Sequence, residues 1–374
     1  MNFRRFIMED WLASYKDSCP YNLGESGMPN ITVGELLAQC GESPDSLRGI
    51  ILKDNDTRGT ERLRAAVAAT YHGGVSADTV TVTTGTSEAL FILFDLCLEK
   101  RTSVVVPFPS FQALYEVPRA LGAQVRFYPL EHENGYIPDP DMVVHLIDDS
   151  TGAVVINSPH NPSGALMPAD SAEMIIRKAE EHGALVIADE HYRYLPIDDD
   201  RPLPSLADPG GCVVATGSIT KCFGVIGLRM GWIVAPEELI SRVRDFRDYL
   251  THSLSPVSDY LGALMLEHAQ LFLTEAVSRL RLNRSHLEKV ISGIPGLSCI
   301  LPRGGVVAFP RYRWSLPSET FARGLIDQYG VFVLPGSSFE VENHFRINLG
   351  LQPHSFREAL ALISAYCRSL EETC

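Results

Sequence analysis

Between residues 60 and 240 the apolar positions alternate between two spacings. TERLRAAVAATY (Thr60–Tyr71) carries them at helical intervals behind a capping candidate, Thr60. TVTVT (Thr79–Thr83) then reads as a strand and Ser87–Leu98 as the helix that follows it. Ser103–Val106, Gln124–Tyr128 and Ala153–Asn157 are β-branched runs set off by Pro or Gly. Met174–His182 returns to helical spacing, and Ala184–Ala188 and Cys212–Thr216 read as strands. Strand and helix in regular order predict a mostly parallel sheet covered on both faces. Beyond residue 240 the pattern changes. A long helical stretch (239–290) precedes short strand candidates at 306–310, 331–334 and 345–349 and a terminal helix from about 354. This predicts a large α/β domain (41–245) and a smaller α+β domain (246–374), with a separate N-terminal segment (1–40) before them.

Composition narrows the class without choosing a function. The 374 residues are 45% hydrophobic and 21% charged, ordinary values for a globular enzyme. A formal charge of −14 argues against nucleic acid or an anionic membrane as partner, and agrees with a small cationic ligand. MNFRRFIMEDW is too short and too charged for a secretory signal, and no apolar run of about 18 residues follows, so a cytoplasmic protein is expected. Eight cysteines at 19, 40, 97, 212, 222, 299, 367 and 374 form no CxxC pair, so free thiols are expected and no metal site.

Candidate chemistry gathers at strand ends. GSITKCFGVIGLRMGW (217–232) follows the strand CVVAT and holds Ser218, Lys221 and Arg229 in otherwise small and apolar surroundings. Ligands of open α/β sheets collect outside the carboxyl ends of strands. A desolvated lysine there supplies the free amine that a Schiff base needs, and a hydroxyl with a guanidinium suits a phosphate. The stretch alone fits equally well a surface lysine and an arginine bridging a helix end. Three more stretches shift that balance. SPHNPSG (158–164) holds Asn161 between prolines, and ALVIADEHY (184–192) delivers Asp189 and Tyr192. TGTSEAL (84–90) is a glycine turn opening a helix, whose free N–H groups suit a phosphate.

These stretches, in this order, resemble the fold-type I pyridoxal-phosphate enzymes of the aspartate aminotransferase superfamily over nearly the whole chain. The resemblance implies a seven-stranded sheet domain, a homodimer and pyridoxal 5'-phosphate as cofactor. Lys221 would be the Schiff-base lysine and Asp189 the partner of the pyridine nitrogen. Tyr192 and Asn161 would bond the ring's phenolic oxygen, and Phe111 in PFPSF would stack on the ring. Gly85, Thr86, Ser87, Ser218 and Arg229 would hold the phosphate, and Arg346 in FRINLG the substrate carboxylate. One departure stands out. The tyrosine that typically crosses the dimer interface to the phosphate has no counterpart in ILKDNDTRG (51–59), where Lys53, Asp54 and Asn55 stand.

MEDWLASY (8–15), GESGMPNITVGEL (24–36), FRDYLTHSLSP (246–256) and PRGGVVAFPRY (302–312) resemble a narrower group, the capreomycidine synthases and enduracididine-forming cyclases. Those enzymes cyclise a hydroxylated arginine to a cyclic guanidine amino acid. The resemblance implies a guanidinium-bearing amino acid as substrate, with Glu9 and Asp54 as carboxylates for the guanidinium and Glu25 as a weaker candidate. Ser26 and Gly27 would line the substrate site beside Asn161 and Arg346. An ordinary aminotransferase and a non-catalytic regulatory protein of the same fold are the competing classes. The complete catalytic set and the absence of a basic DNA-binding extension speak against the second.

Overall fold

The computed structural model describes residues 1–373. Cys374 lies outside the described residues, and the other seven cysteines are free thiols, three of them buried. Among the described residues no group of His, Cys, Asp or Glu is arranged to hold a metal ion, and no helix is long and apolar enough to cross a membrane.

Seven strands form the central sheet: β1 (Val80–Thr83), β2 (Ser103–Phe108), β3 (Gln124–Pro129), β4 (Thr151–Asn157), β5 (Leu185–Asp189), β6 (Val213–Ser218) and β7 (Gly231–Val234). Their order across the sheet is β1-β7-β6-β5-β4-β2-β3, and β7 alone runs antiparallel to its neighbours. Every residue of β1, β4, β6 and β7 is buried, as expected for strands covered on both faces, whereas β3 at the edge is largely exposed. The expected strands and helices are present with ends shifted by a few residues. Thr60 does cap its helix, Glu61–Ala68, accepting a hydrogen bond from the Leu63 N–H. The strand β7 was not expected, because MGW reads as the tail of the lysine loop.

The stretch 239–290 departs from the single helix its spacing predicts. It is three helices, Glu237–Arg247, Pro256–Glu267 and Ala269–Ser292. Pro256 sits at the first turn of the second, where its missing N–H costs nothing, and so ends any continuation from the first. His268 separates the second from the third. The remaining C-terminal strands are short. Val307–Ala308 and Leu334–Pro335 flank Phe345–Asn348, and the helix Pro353–Thr373 closes the chain.

The N-terminal segment is stitched into this C-terminal layer. Tyr21–Asn22 pairs in parallel with Val331–Phe332, and the Leu23 N–H donates to the Phe332 carbonyl at 2.8 Å. The Asn348 N–H returns a bond to the Leu23 carbonyl at 2.9 Å. Residues 21–31 therefore run between the large sheet and the C-terminal strands.

Candidate active site

Sheet register sets the floor of the site. Asn157, Asp189 and Thr216 are register partners at the carboxyl ends of β4, β5 and β6. The Thr216 hydroxyl donates to Asp189 Oδ1 at 3.1 Å and Asn157 Nδ2 donates to Oδ2 at 3.1 Å. Burial pushes the Asp189 carboxyl up to about 6, partly offset by the Thr216 hydroxyl and the backbone at His191. No cation among the described residues pairs with it. A buried carboxylate held on both oxygens, yet lacking a counter-charge, is a receptor for a cationic N–H.

A second row places Thr83, Gly231 and Ser218 side by side. Just beyond it Gly85, at φ 85°, precedes the helix Thr86–Leu98 without any side-chain cap. The first N–H groups of that helix thus lie open to an anion. Glycine is required twice here. Gly85 occupies the left-handed region, and a Cβ on Gly231 would sit 2.7 Å from the Gly85 carbonyl carbon. Arg229 reaches the same turn, its Nη2 standing 3.2 Å from where a Gly85 Cβ would lie. Its own backbone is left-handed at φ 48°, a strained state for a non-glycine residue that recurs at functional sites.

Lys221 follows β6 after a short turn and, among the described residues, has no carboxylate within ion-pair distance. Its carbonyl accepts from the Met28 N–H at 2.8 Å, and Gly27 lies against its side chain. Burial and then the Arg346 charge push the amine down to about 8, against the pull of Glu25 and Glu9. A useful share is therefore unprotonated near neutral pH, as a nucleophilic or basic lysine requires.

One cavity of about 350 Å³ joins these parts. Lys221, Asp189, Asn161 and Tyr192 line it, with Gly85, Thr86, Ser87 and Arg229 at one end. Phe111, Ser26 and Glu9 complete the expected set, Phe111 standing 5.4 Å from the Phe6 ring. The Tyr192 hydroxyl donates to the Ser26 carbonyl at 3.1 Å.

Five expected residues stand elsewhere. Ser218 is buried behind the wall, its hydroxyl 2.7 Å from that of Thr220, and Thr220 is the residue that reaches the cavity. Arg346 is fully buried; Nη1 donates to Asn161 Oδ1 at 3.0 Å and Nη2 to the Gly24 carbonyl at 2.7 Å. Its Nε is buried as well and has no hydrogen-bond partner among the described residues. Gly27 and Glu25 line a neighbouring cavity. Asp54 is exposed on the loop before Asn55, away from the cavity of its own chain. The expectation that Glu9 and Asp54 share one guanidinium is corrected to this extent: within one chain the fold brings only Glu9 to the cavity.

Sequence reading missed His191, Asn157 and Thr220. His191 is half-buried with Nδ1 3.4 Å from Ser218 Oγ, and desolvation, Lys221 and Arg229 push it down to about 3, leaving a neutral ring. Its signal was adjacency to Asp189 beyond a strand end. Asn157 was the last residue of VVIN, legible only once its register with Asp189 is known.

The donor set fits pyridoxal phosphate: an uncapped helix start and Arg229 for the phosphate, Asp189 for a protonated ring nitrogen, and a free amine for the aldehyde. Comparison with known proteins agrees. The family described as aminotransferase class I and II matches residues 48–363. Capreomycidine synthase of Streptomyces vinaceus is 34% identical over 360 residues, covering 96% of this chain and 92% of that protein. Among solved structures, a PLP-dependent aminotransferase from Streptococcus suis superposes with a TM-score of 0.92 at 28% identity, covering 99% of both chains. The PLP-dependent cyclase OrfR superposes with a TM-score of 0.89 at 27% identity, covering 100% of this chain and 99% of its own.

Proposed function

The chain belongs to the aminotransferase class I and II family and is a pyridoxal-phosphate enzyme; from that premise we propose a cyclase that closes a hydroxylated L-arginine into a cyclic guanidine amino acid. The observation that carries this reading is Glu9, a carboxylate that the N-terminal helix Ile7–Tyr15 delivers to the cavity containing Lys221 and Asp189. The names of the Streptomyces relative and of OrfR support it.

Bound pyridoxal phosphate supplies an electron sink for the pair left at the substrate Cα when its proton departs. Lys221 takes that proton, its amine being partly free near neutral pH. Asp189, fixed by Thr216 and Asn157, holds a proton at the ring nitrogen. The open N–H groups after Gly85, with Arg229, bind the phosphate. Arg346, held behind the cavity by Asn161 and Gly24, is read as the cation for the substrate carboxylate. Glu9 holds the guanidinium through charge-assisted hydrogen bonds and directs one nitrogen at the side chain. Loss of a Cβ hydroxyl and attack at Cβ closes a six-membered ring; a Cγ hydroxyl gives a five-membered one. In both, a C–O bond breaks, a C–N bond forms, and hydroxide with a guanidine proton leaves as water.

The active unit is read as a homodimer. Ile51, Leu52 and Tyr249 are 71%, 80% and 91% exposed, and Asn55 joins their loops through Ser253 and Leu254. Glu88 on the phosphate-site helix bonds Thr251 and pairs with Arg247, so this apolar face is anchored beside the cofactor end. A second copy covering it explains the exposure, and Asp54 belongs to that face.

Mass spectrometry of incubations with β- and γ-hydroxyarginine tests the reading. A product lighter by one water, formed without a keto-acid acceptor, is expected. Stoichiometric pyridoxamine phosphate with a keto acid would assign an ordinary aminotransferase, a role the Arg346 arrangement also suits.

A further inference from the structure

Lys221 separates two cavities. Together with Thr220 and Ile226 it lines both the substrate cavity and a second one of about 330 Å³. The second lies between the N-terminal segment, which contributes Asn22 and Glu25, and the C-terminal layer, which contributes Asn348, Gln352 and Ser355. Glu25 and Lys221 are the charged residues on its walls.

Glu25 is held in place. Asn22 Nδ2 donates to Glu25 Oε2 at 2.9 Å, and Asn22 Oδ1 accepts from the N–H groups of Gly24 and Glu25 at 3.1 and 3.3 Å. The other carboxylate oxygen, Oε1, has no hydrogen-bond partner among the described residues. Gly27 keeps the passage beside the lysine open, since a Cβ there would lie 3.3 Å from Lys221 Cδ. A polar chamber of this size, with a free carboxylate oxygen and several carboxamides, holds water.

A lysine that takes the Cα proton while cofactor and substrate fill one side has its other side facing this chamber. We propose that the Glu25 chamber is the route by which Lys221 exchanges protons with solvent during turnover. In the step, an N–H bond of the Lys221 ammonium breaks and an O–H bond forms on a water held by Glu25. The proton passes on to bulk water, a solvent proton returns by the reverse path, and no electrons change hands. Glu25 acts through Lys221 and is a positioning residue. The Glu25 charge is felt at Lys221 more strongly than that of Glu9, consistent with this placement. The inference rests on Lys221 being the base of the proposed function, and not on the identity of the substrate.

The test uses the holoenzyme in deuterated water. For Glu25→Gln, deuterium entering the substrate or product Cα per turnover is expected to fall by about tenfold, with more return of the original proton, and Glu25→Asp to recover part of it. A second readout needs no turnover. In the cofactor-free protein, loss of the neighbouring negative charge lowers the Lys221 pKa. Acylation of Lys221 near neutral pH, followed by peptide mass spectrometry, should then be faster in Glu25→Gln. Unchanged exchange per turnover in a Glu25→Gln enzyme that keeps its cofactor spectrum overturns the route, whatever the product. Reduced exchange with an amino acid that is only transaminated upholds the route while removing the cyclase reading.

Discussion

The two halves of the active-site cavity are built in different ways. The cofactor half comes from consecutive strand ends of one sheet, where Asn157, Asp189 and Thr216 are placed by backbone register. The substrate half is assembled from distant pieces. Glu9 comes from a helix and Ser26 from the segment after residue 22, and behind them Arg346, on a C-terminal strand, bonds Gly24 across 322 positions. Ladder hydrogen bonds fix the first half whatever ligand it serves. The second depends on how three separate pieces pack, so it is where a family sharing one cofactor can change substrate.

The sharpest break in this comparison is expected at Lys221, which belongs to both halves. Lys221→Ala should lower turnover by about 10³-fold or more. It should also abolish the borohydride-fixed cofactor adduct seen by mass spectrometry; near-normal activity would remove the whole assignment. Asp189→Asn, confined to the cofactor half, should cost about 3–5 kcal/mol in kcat, the effect of breaking a buried charged pair. A loss of only about tenfold would show that the ring nitrogen needs no carboxylate.

Glu9→Gln probes chiefly the substrate half. It should weaken kcat/KM for hydroxyarginines by about 1.5–3 kcal/mol, the worth of a hydrogen bond to a charged group, and leave the cofactor spectrum unchanged. Rates indifferent to this change would place the guanidinium elsewhere. The smallest effect is in pH. Covalent uptake of pyridoxal phosphate by the cofactor-free protein needs the neutral amine, so its rate should rise with pH through about 8 and level off above. Glu9 raises the Lys221 pKa, so Glu9→Gln should shift that inflection to lower pH; an upward shift would contradict the placement.

The same division governs what the sequence reveals. Asp189, Lys221 and the Gly85 turn were legible because each lies at or just beyond a strand whose apolar run marks its end. Asn157 and His191 needed the register between strands, which one chain of letters does not state. Arg346 was found through FRINLG, yet its bonds to Asn161 and Gly24 are long-range packing and left no local trace. The same holds for Asp54. Its stretch suggested a substrate contact, but only the three-dimensional path of the 51–59 loop shows it outside the cavity of its own chain. The helix break at 248–255 was hidden because helical spacing persists on both sides of it.

The pairing of residues 21–23 with Val331, Phe332 and Asn348 has a consequence for synthesis. The ribosome makes that N-terminal segment first and its partners almost last, roughly 15–60 s later at usual elongation rates. Through that interval the large sheet, complete by Val234, can form while the wall carrying Ser26 and Glu25 has only its contacts to Tyr192 and Lys221 and lacks its C-terminal partners. Closure of the site is complete only once those C-terminal strands exist, because non-local contacts define it. A nascent or C-terminally truncated chain would carry a cofactor cradle without a substrate chamber, and the free lysine would do no chemistry on amino acids until the chain is finished.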